Sequence, residues 1–156
     1  MTFEFIKPTL ADIKEMRNLV SVEVRNGVIL DRSEDEMANT IRSYIVARDK
    51  GSGEIAGFCA LYVYSVDLAE VRSLVVKDSY RGSGLGSELV TRALQEGREL
   101  GIKEVLVLTY KAKLFQRLGF AIIEKSLLPN HKIWADCIKC KHFPICDEVA
   151  LINKLS

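Results

Sequence analysis

One stretch constrains this chain more than any other: Leu74 to Ser87, which reads L-V-V-K-D-S-Y-R-G-S-G-L-G-S. An apolar, β-branched run (Leu74, Val75, Val76) gives way to turn-prone Lys77-Asp78-Ser79, then to Arg81 and to glycines at positions 82, 84 and 86. Leu85, Leu89, Val90, Ala93, Leu94 and Leu100 recur at helical spacing, so the glycines stand between a strand and a long helix. Glycine permits positive φ and lets another molecule approach the backbone with no Cβ in the way. Free N–H groups at a helix start, with the positive end of the dipole behind them, cradle an anion. Arg81 adds a fork of donors suited to phosphate. A pyrophosphate site is therefore expected at Arg81, Gly82, Ser83, Gly84, Leu85, Gly86 and Ser87.

Three phosphate motifs compete for the stretch. A P-loop needs Gly-Lys-Ser/Thr at its end, and no lysine follows these glycines. A dinucleotide fingerprint, G-x-G-x-x-G, meets Ser87 where its last glycine should stand. Its acidic partner, about 20 positions on, would be Glu104, which opens the next strand instead of closing it. The third motif, R/Q-x-x-G-x-G/A, fits Arg81-Gly82-Ser83-Gly84-Leu85-Gly86 fully. A second match follows at the right distance: Leu114-Phe115-Gln116-Arg117-Leu118-Gly119-Phe120 is similar to F-Y-E-K-L-G-F. On these two motifs the chain resembles the GNAT superfamily of N-acetyltransferases. The resemblance implies acetyl-CoA as cofactor and a mixed, twisted α/β sheet of about six to seven strands flanked by helices.

The 156 residues suit a single domain over positions 1–156, with a cysteine-containing tail from 131 packed on it. A net charge of +1 argues for neither nucleic acid nor membrane as partner. No apolar run approaches the ~20 residues that span a bilayer. Met1 to Pro8 lacks the n- and h-regions of an export signal, so a cytoplasmic location is expected. The four cysteines should then be thiols or metal ligands. A homodimer is left open by these residues.

In chain order, Thr2 to Lys7 reads as a strand ended by Pro8, and Thr9 caps a helix from Leu10 to about Arg25, stopped by Asn26-Gly27. Ile13, Met16, Leu19 and Val20 form its stripe. Ser33-Glu34-Asp35-Glu36 is a capping box for a second helix through Met37 and Ile41. Tyr44 to Arg48, Ile55 to Tyr64 and Glu70 to Lys77 read as strands, the first two joined by a turn at Lys50 to Gly53. After the glycine loop come the helix Leu85 to Leu100 with Gly101 as its stop, a buried parallel strand Val105 to Thr109, and a short helix Lys111 to Leu118. Strands Phe120 to Glu124 and Val149 to Ile152 complete a β-α-α-β-β-β-α-β-α-β-β order.

The resemblance also implies chemistry. Strands four and five of such folds splay, and the pantetheine arm lies between them along the backbone of Leu74, Val75 and Val76, like an added strand. The Val76 N–H would then stabilise the oxyanion as an amine attacks. Glu70 is the candidate base, acting through water; the alternative is a surface carboxylate pairing with Arg72. The family's tyrosine acid is replaced by Phe115, which becomes a packing residue against the cofactor. Tyr110 is left to protonate the thiolate or to line the cleft. A thiolate near pKa 8.5 needs little help in leaving.

Leu30-Asp31-Arg32-Ser33, the run Ile55 to Leu61, Val107-Leu108-Thr109, and Gly119-Phe120 with Leu127-Leu128-Pro129 resemble the N-acetylglutamate synthase branch. That implies acetylation of L-glutamate, a small-molecule amine, as in arginine biosynthesis. Its carboxylates would need cations, for which Arg32 and Arg72 are the candidates, each with an ordinary surface ion pair as its alternative role. Acetylation of another small amine or a protein N-terminus, and an acetyl-CoA sensor without turnover, are the rival functions. In the tail, Cys137, Cys140 and Cys146 near His131 and His142 form half a zinc pattern; packing as small apolar side chains is the alternative.

Overall fold

Phe3 and Phe5 flank Glu4 in an alternating run, and β1 (Phe3–Ile6) pairs antiparallel with β2 (Tyr44–Asp49). A computed structural model describes residues 2–25, 31–125 and 148–155 of the chain. β2 turns at Lys50 to Gly53 into β3 (Ile55–Val63), the Asp49 carboxylate accepting from the Gly51 N–H and Gly53 taking φ 76°. β3 pairs antiparallel with β4 (Leu68–Val76), the turn closed by the Tyr64 N–H on the Leu68 carbonyl. The glycine loop leads into α3 (Leu85–Leu100), which Gly101 ends at φ 86°.

β5 (Glu104–Thr109) then runs parallel to β4, followed by α4 (Ala112–Arg117), β6 (Ala121–Ile123) and β7 (Val149–Lys154). The sheet order is β1-β2-β3-β4-β5-β7-β6, so the last strand inserts between its two predecessors. Asn153, buried on β7, donates through its amide to the Leu118 carbonyl and ties the insertion to the end of α4.

Before β2 come α1 (Ile13–Arg25) and α2 (Glu34–Asn39). Leu10 to Asp12 is a 3-10 turn, with the Thr9 N–H on the Asp12 carboxylate. The expected capping box is present: Glu36 N–H donates to Ser33 Oγ and Ser33 N–H to the Glu36 carboxylate, both at 3.1 Å. α2 stops short of Ile41, because Thr40 leaves helical geometry and its hydroxyl donates to the Glu36 carbonyl. Asn26-Gly27 and the segment 126–147 lie outside the described residues.

Two apolar layers cover the sheet. Leu85, Leu89, Val90, Ala93 and Leu94 of α3 pack on Leu61, Val71, Val105 and Leu151. Ile13, Met16 and Met37 of α1 and α2 pack on Tyr44, Val46, Phe58, Ala60 and Val75 from the opposite face. Both helical stripes follow the 3.6-residue period that the sequence shows.

Candidate active site

The site begins with an irregularity in β4. Gly57 pairs with Val76 and Phe58 with Val75, but Ala60 pairs with Arg72, so Ser73 and Leu74 together face Cys59. Ser73 takes φ 57°, a left-handed conformation uncommon outside glycine. This β-bulge bends the strand and reverses which way later side chains point. Ahead of it Ala69 and Val71 belong to the core under α3; beyond it Leu74 and Val76 do, while Val75 turns to the α1 and α2 side. Glu70 and Arg72, across from Tyr62 and Ala60, share the α1 and α2 face.

β4 also parts from β5 here. Their register runs Leu68 to Glu104, Ala69 to Val105 and Glu70 to Leu106, and goes no further. Leu74, Val75 and Val76 lie beyond the last pair, along the expected splay.

Glu70 is only 1% exposed, which excludes the surface carboxylate considered from the sequence. The Tyr64 hydroxyl donates to it at 2.7 Å. Two residues along, the Arg72 guanidinium lies 3.7 Å from the centre of the Tyr62 ring. Tyr62 and Tyr64 meet edge to face at 5.0 Å. Arg32 stands just before the α2 cap, and its charge, like that of Arg72, acts on the Tyr44 phenol. Burial raises the phenol's pKa above 10.0, against those two charges and the hydroxyls of Thr40 and Ser73. The structure thus sets Glu70 and Arg72 on one face, with Arg32 and Arg72 both close enough to act on Tyr44.

Other expected residues stand apart. Tyr110 is exposed just past β5. Phe115 is 2% exposed in the α3-side core, edge-on to Phe120 at 5.3 Å. Tyr44, Tyr62, Tyr64 and Ser73 were missed. For the tyrosines a signal existed, since Tyr62 and Tyr64 alternate at the end of a strand.

The glycine loop has the shape a pyrophosphate needs. Gly82 and Gly84 take φ 80° and 82°, and a Cβ on either would meet nothing within 4 Å. Leu85, Gly86 and Ser87 open α3, so their N–H groups lack the carbonyls of a preceding turn. Arg81 pairs with exposed Asp78 at 3.1 Å, and Ser83 Oγ donates to the Tyr80 carbonyl at 2.6 Å. Tyr80 anchors the loop to the β2–β3 turn: its hydroxyl lies 2.6 Å from Asp49 and 2.7 Å from Glu54. Lys77 Nζ is 2.7 Å from the second Glu54 oxygen. These bonds hold Asp49 and Glu54 below the usual carboxylate range, while the bond to Asp49 is the main cause pushing Tyr80 up to about 12.

Cys137, Cys140 and Cys146 lie outside the described residues. Among those described, no three histidines, cysteines or carboxylates gather as metal ligands. Cys59 is buried, which pushes its thiol up to about 12. No helix of the described residues is long and apolar enough to cross a membrane.

Residues 12–120 match the acetyltransferase (GNAT) family. The chain is 38% identical over 146 residues to an uncharacterized N-acetyltransferase of Chlorobaculum tepidum, covering 94% of this chain and 92% of that one. It is 30% identical over 115 residues to an amino-acid acetyltransferase of Mycobacterium tuberculosis, covering 73% of this chain and 66% of the relative. The fold matches an N-acetylglutamate synthase from Neisseria gonorrhoeae, complexed with coenzyme A and N-acetyl-glutamate, with a TM-score of 0.87 at 20% identity. That match covers 100% of this chain and 36% of the synthase. With the seven-stranded sheet, the splay and the glycine loop, these likenesses identify the chain as a member of the GNAT family, an N-acetyltransferase whose acetyl donor is acetyl-CoA.

Proposed function

We propose that this N-acetyltransferase acts on the α-amine of L-glutamate or a similar acidic amino acid. The observation that carries the proposal is buried Glu70 on the same face as Arg72, at the point where β4 leaves β5, with Arg32 and Arg72 both acting on nearby Tyr44. A carboxylate base with guanidinium groups in the same region suits a substrate with one amine and two carboxylates. The 30% identity to an amino-acid acetyltransferase supports the same acceptor class.

Acetyl-CoA supplies the acetyl group as a thioester. The loop from Arg81 to Ser87 would hold its pyrophosphate, and the Leu74 and Val76 backbone would pair with its pantetheine arm. Phe115, in the core beneath, packs that wall. The Val76 N–H is assigned to the carbonyl oxygen that gains charge during transfer. Glu70 takes the proton that an ammonium must lose before it can attack, directly or through water. Arg72 and Arg32 fix the carboxylates and so aim the amine. Tyr110, exposed just past β5, is assigned to line the cleft, since a thiolate near pKa 8.5 leaves with little help.

Thiol release by the purified protein, measured against the common amino acids with mass analysis of the product, tests the acceptor. N-acetyl-glutamate as the fastest product is expected. Faster turnover of a neutral amino acid, a polyamine or a peptide N-terminus would displace glutamate, and no turnover anywhere would favour a sensor.

A further inference from the structure

Tyr62, near the end of β3, and Tyr64, just past it, have no part in the chemistry above. Glu70 and Arg72 are neighbours on one face of β4, where opposite charges attract across the pleat. Each has an aromatic support. The Tyr64 hydroxyl donates to Glu70 Oε1 at 2.7 Å, and the Tyr62 ring lies under the Arg72 guanidinium at 3.7 Å. The rings brace each other at 5.0 Å and 73°.

We infer that Tyr62 and Tyr64 are positioning residues for the base and the carboxylate anchor, Tyr64 aiming Glu70 by its hydroxyl and Tyr62 presenting Arg72 by its ring. The inference rests on Glu70 as base and Arg72 as anchor. The two tyrosines differ in the part that matters: the O–H at position 64 and the ring face at position 62.

The test compares Tyr64→Phe, Tyr62→Phe, Tyr62→Leu and Glu70→Gln by steady-state thiol release, each checked for a native melting curve. Tyr64→Phe should lower kcat about 10–100-fold, the effect of losing a hydrogen bond to a charged group, with both KM values within about twofold. It should add nothing further in a Glu70→Gln background. Tyr62→Phe should behave as native, while Tyr62→Leu should raise KM for glutamate about 3–30-fold with kcat kept. Inactive Glu70→Gln together with native kcat in Tyr64→Phe would overturn the Tyr64 assignment alone. Tyr62→Leu with native KM, or Tyr62→Phe as damaging as Tyr62→Leu, would overturn that of Tyr62. Native turnover by Glu70→Gln would overturn the base assignment and the Tyr64 role with it.

Discussion

A Cβ placed on Gly57 would stand 2.6 Å from the carbonyl oxygen of Val75 and 3.3 Å from a methyl of Leu89. Gly57 pairs with Val76 where β4 resumes its register after the bulge, so the glycine is required by space and not by φ. Gly57→Ala should cost about 1–3 kcal/mol by overpacking, lowering Tm by about 2–4 °C per kcal/mol. Acetyl-CoA affinity should fall as well, because the displaced backbone is that of Val75 and Val76. A native melting temperature would show that the strands yield freely here.

Gly84 presents the opposite case. A side chain has room there, but φ is 82°, and a left-handed L-residue costs about 1–2 kcal/mol. Gly84→Val should remain folded and lose acetyl-CoA binding in calorimetry, since its side chain fills the face left open to phosphate. Undiminished affinity in the folded variant would remove the loop assignment.

Tyr80 gives a pH signature. Asp49 and Glu54 are held below their ordinary range, first by Tyr80 and Lys77 respectively, so their contribution to stability is present above that range and lost as pH falls through the depressed values. Tyr80 is raised from 10.0 to about 12, so its contribution is present below pH 10 and lost on the way to 12. The Tm difference between the native protein and Tyr80→Phe should be widest from about pH 5 to 10 and close on both sides. A difference independent of pH would mean that the hydroxyl's bonds to the carboxylates do not carry it.

Much of the fold follows local signals. The glycine loop, α3 with its Gly101 stop and the Ser33 capping box were legible because each is specified within a few residues. The bulge was not, since serine carries no left-handed signature and the φ 57° of Ser73 goes with the register shift between β3 and β4. The insertion of β7 between β5 and β6 depends on long-range pairing that periodicity does not encode. At the site, Glu70 and Arg72 were legible as residue types on a strand. Their tyrosine supports needed the cross-strand register, which pairs Tyr62 with Glu70.

An acidic amino acid held by Arg32 and Arg72 should leave its mark on steady-state thiol release with glutamate and glutamine in the native protein, Arg32→Ala and Arg72→Ala. Removing the partner of a buried, hydrogen-bonded charge costs about 2–5 kcal/mol. Each variant should lose kcat/KM for glutamate by a corresponding factor of about 30 to several thousand while KM for acetyl-CoA stays near native. The native protein should prefer glutamate to glutamine, and the variant lacking the side-chain partner should discriminate less. Equal native rates with glutamate and neutral amino acids, or native glutamate kinetics in both variants, would contradict it.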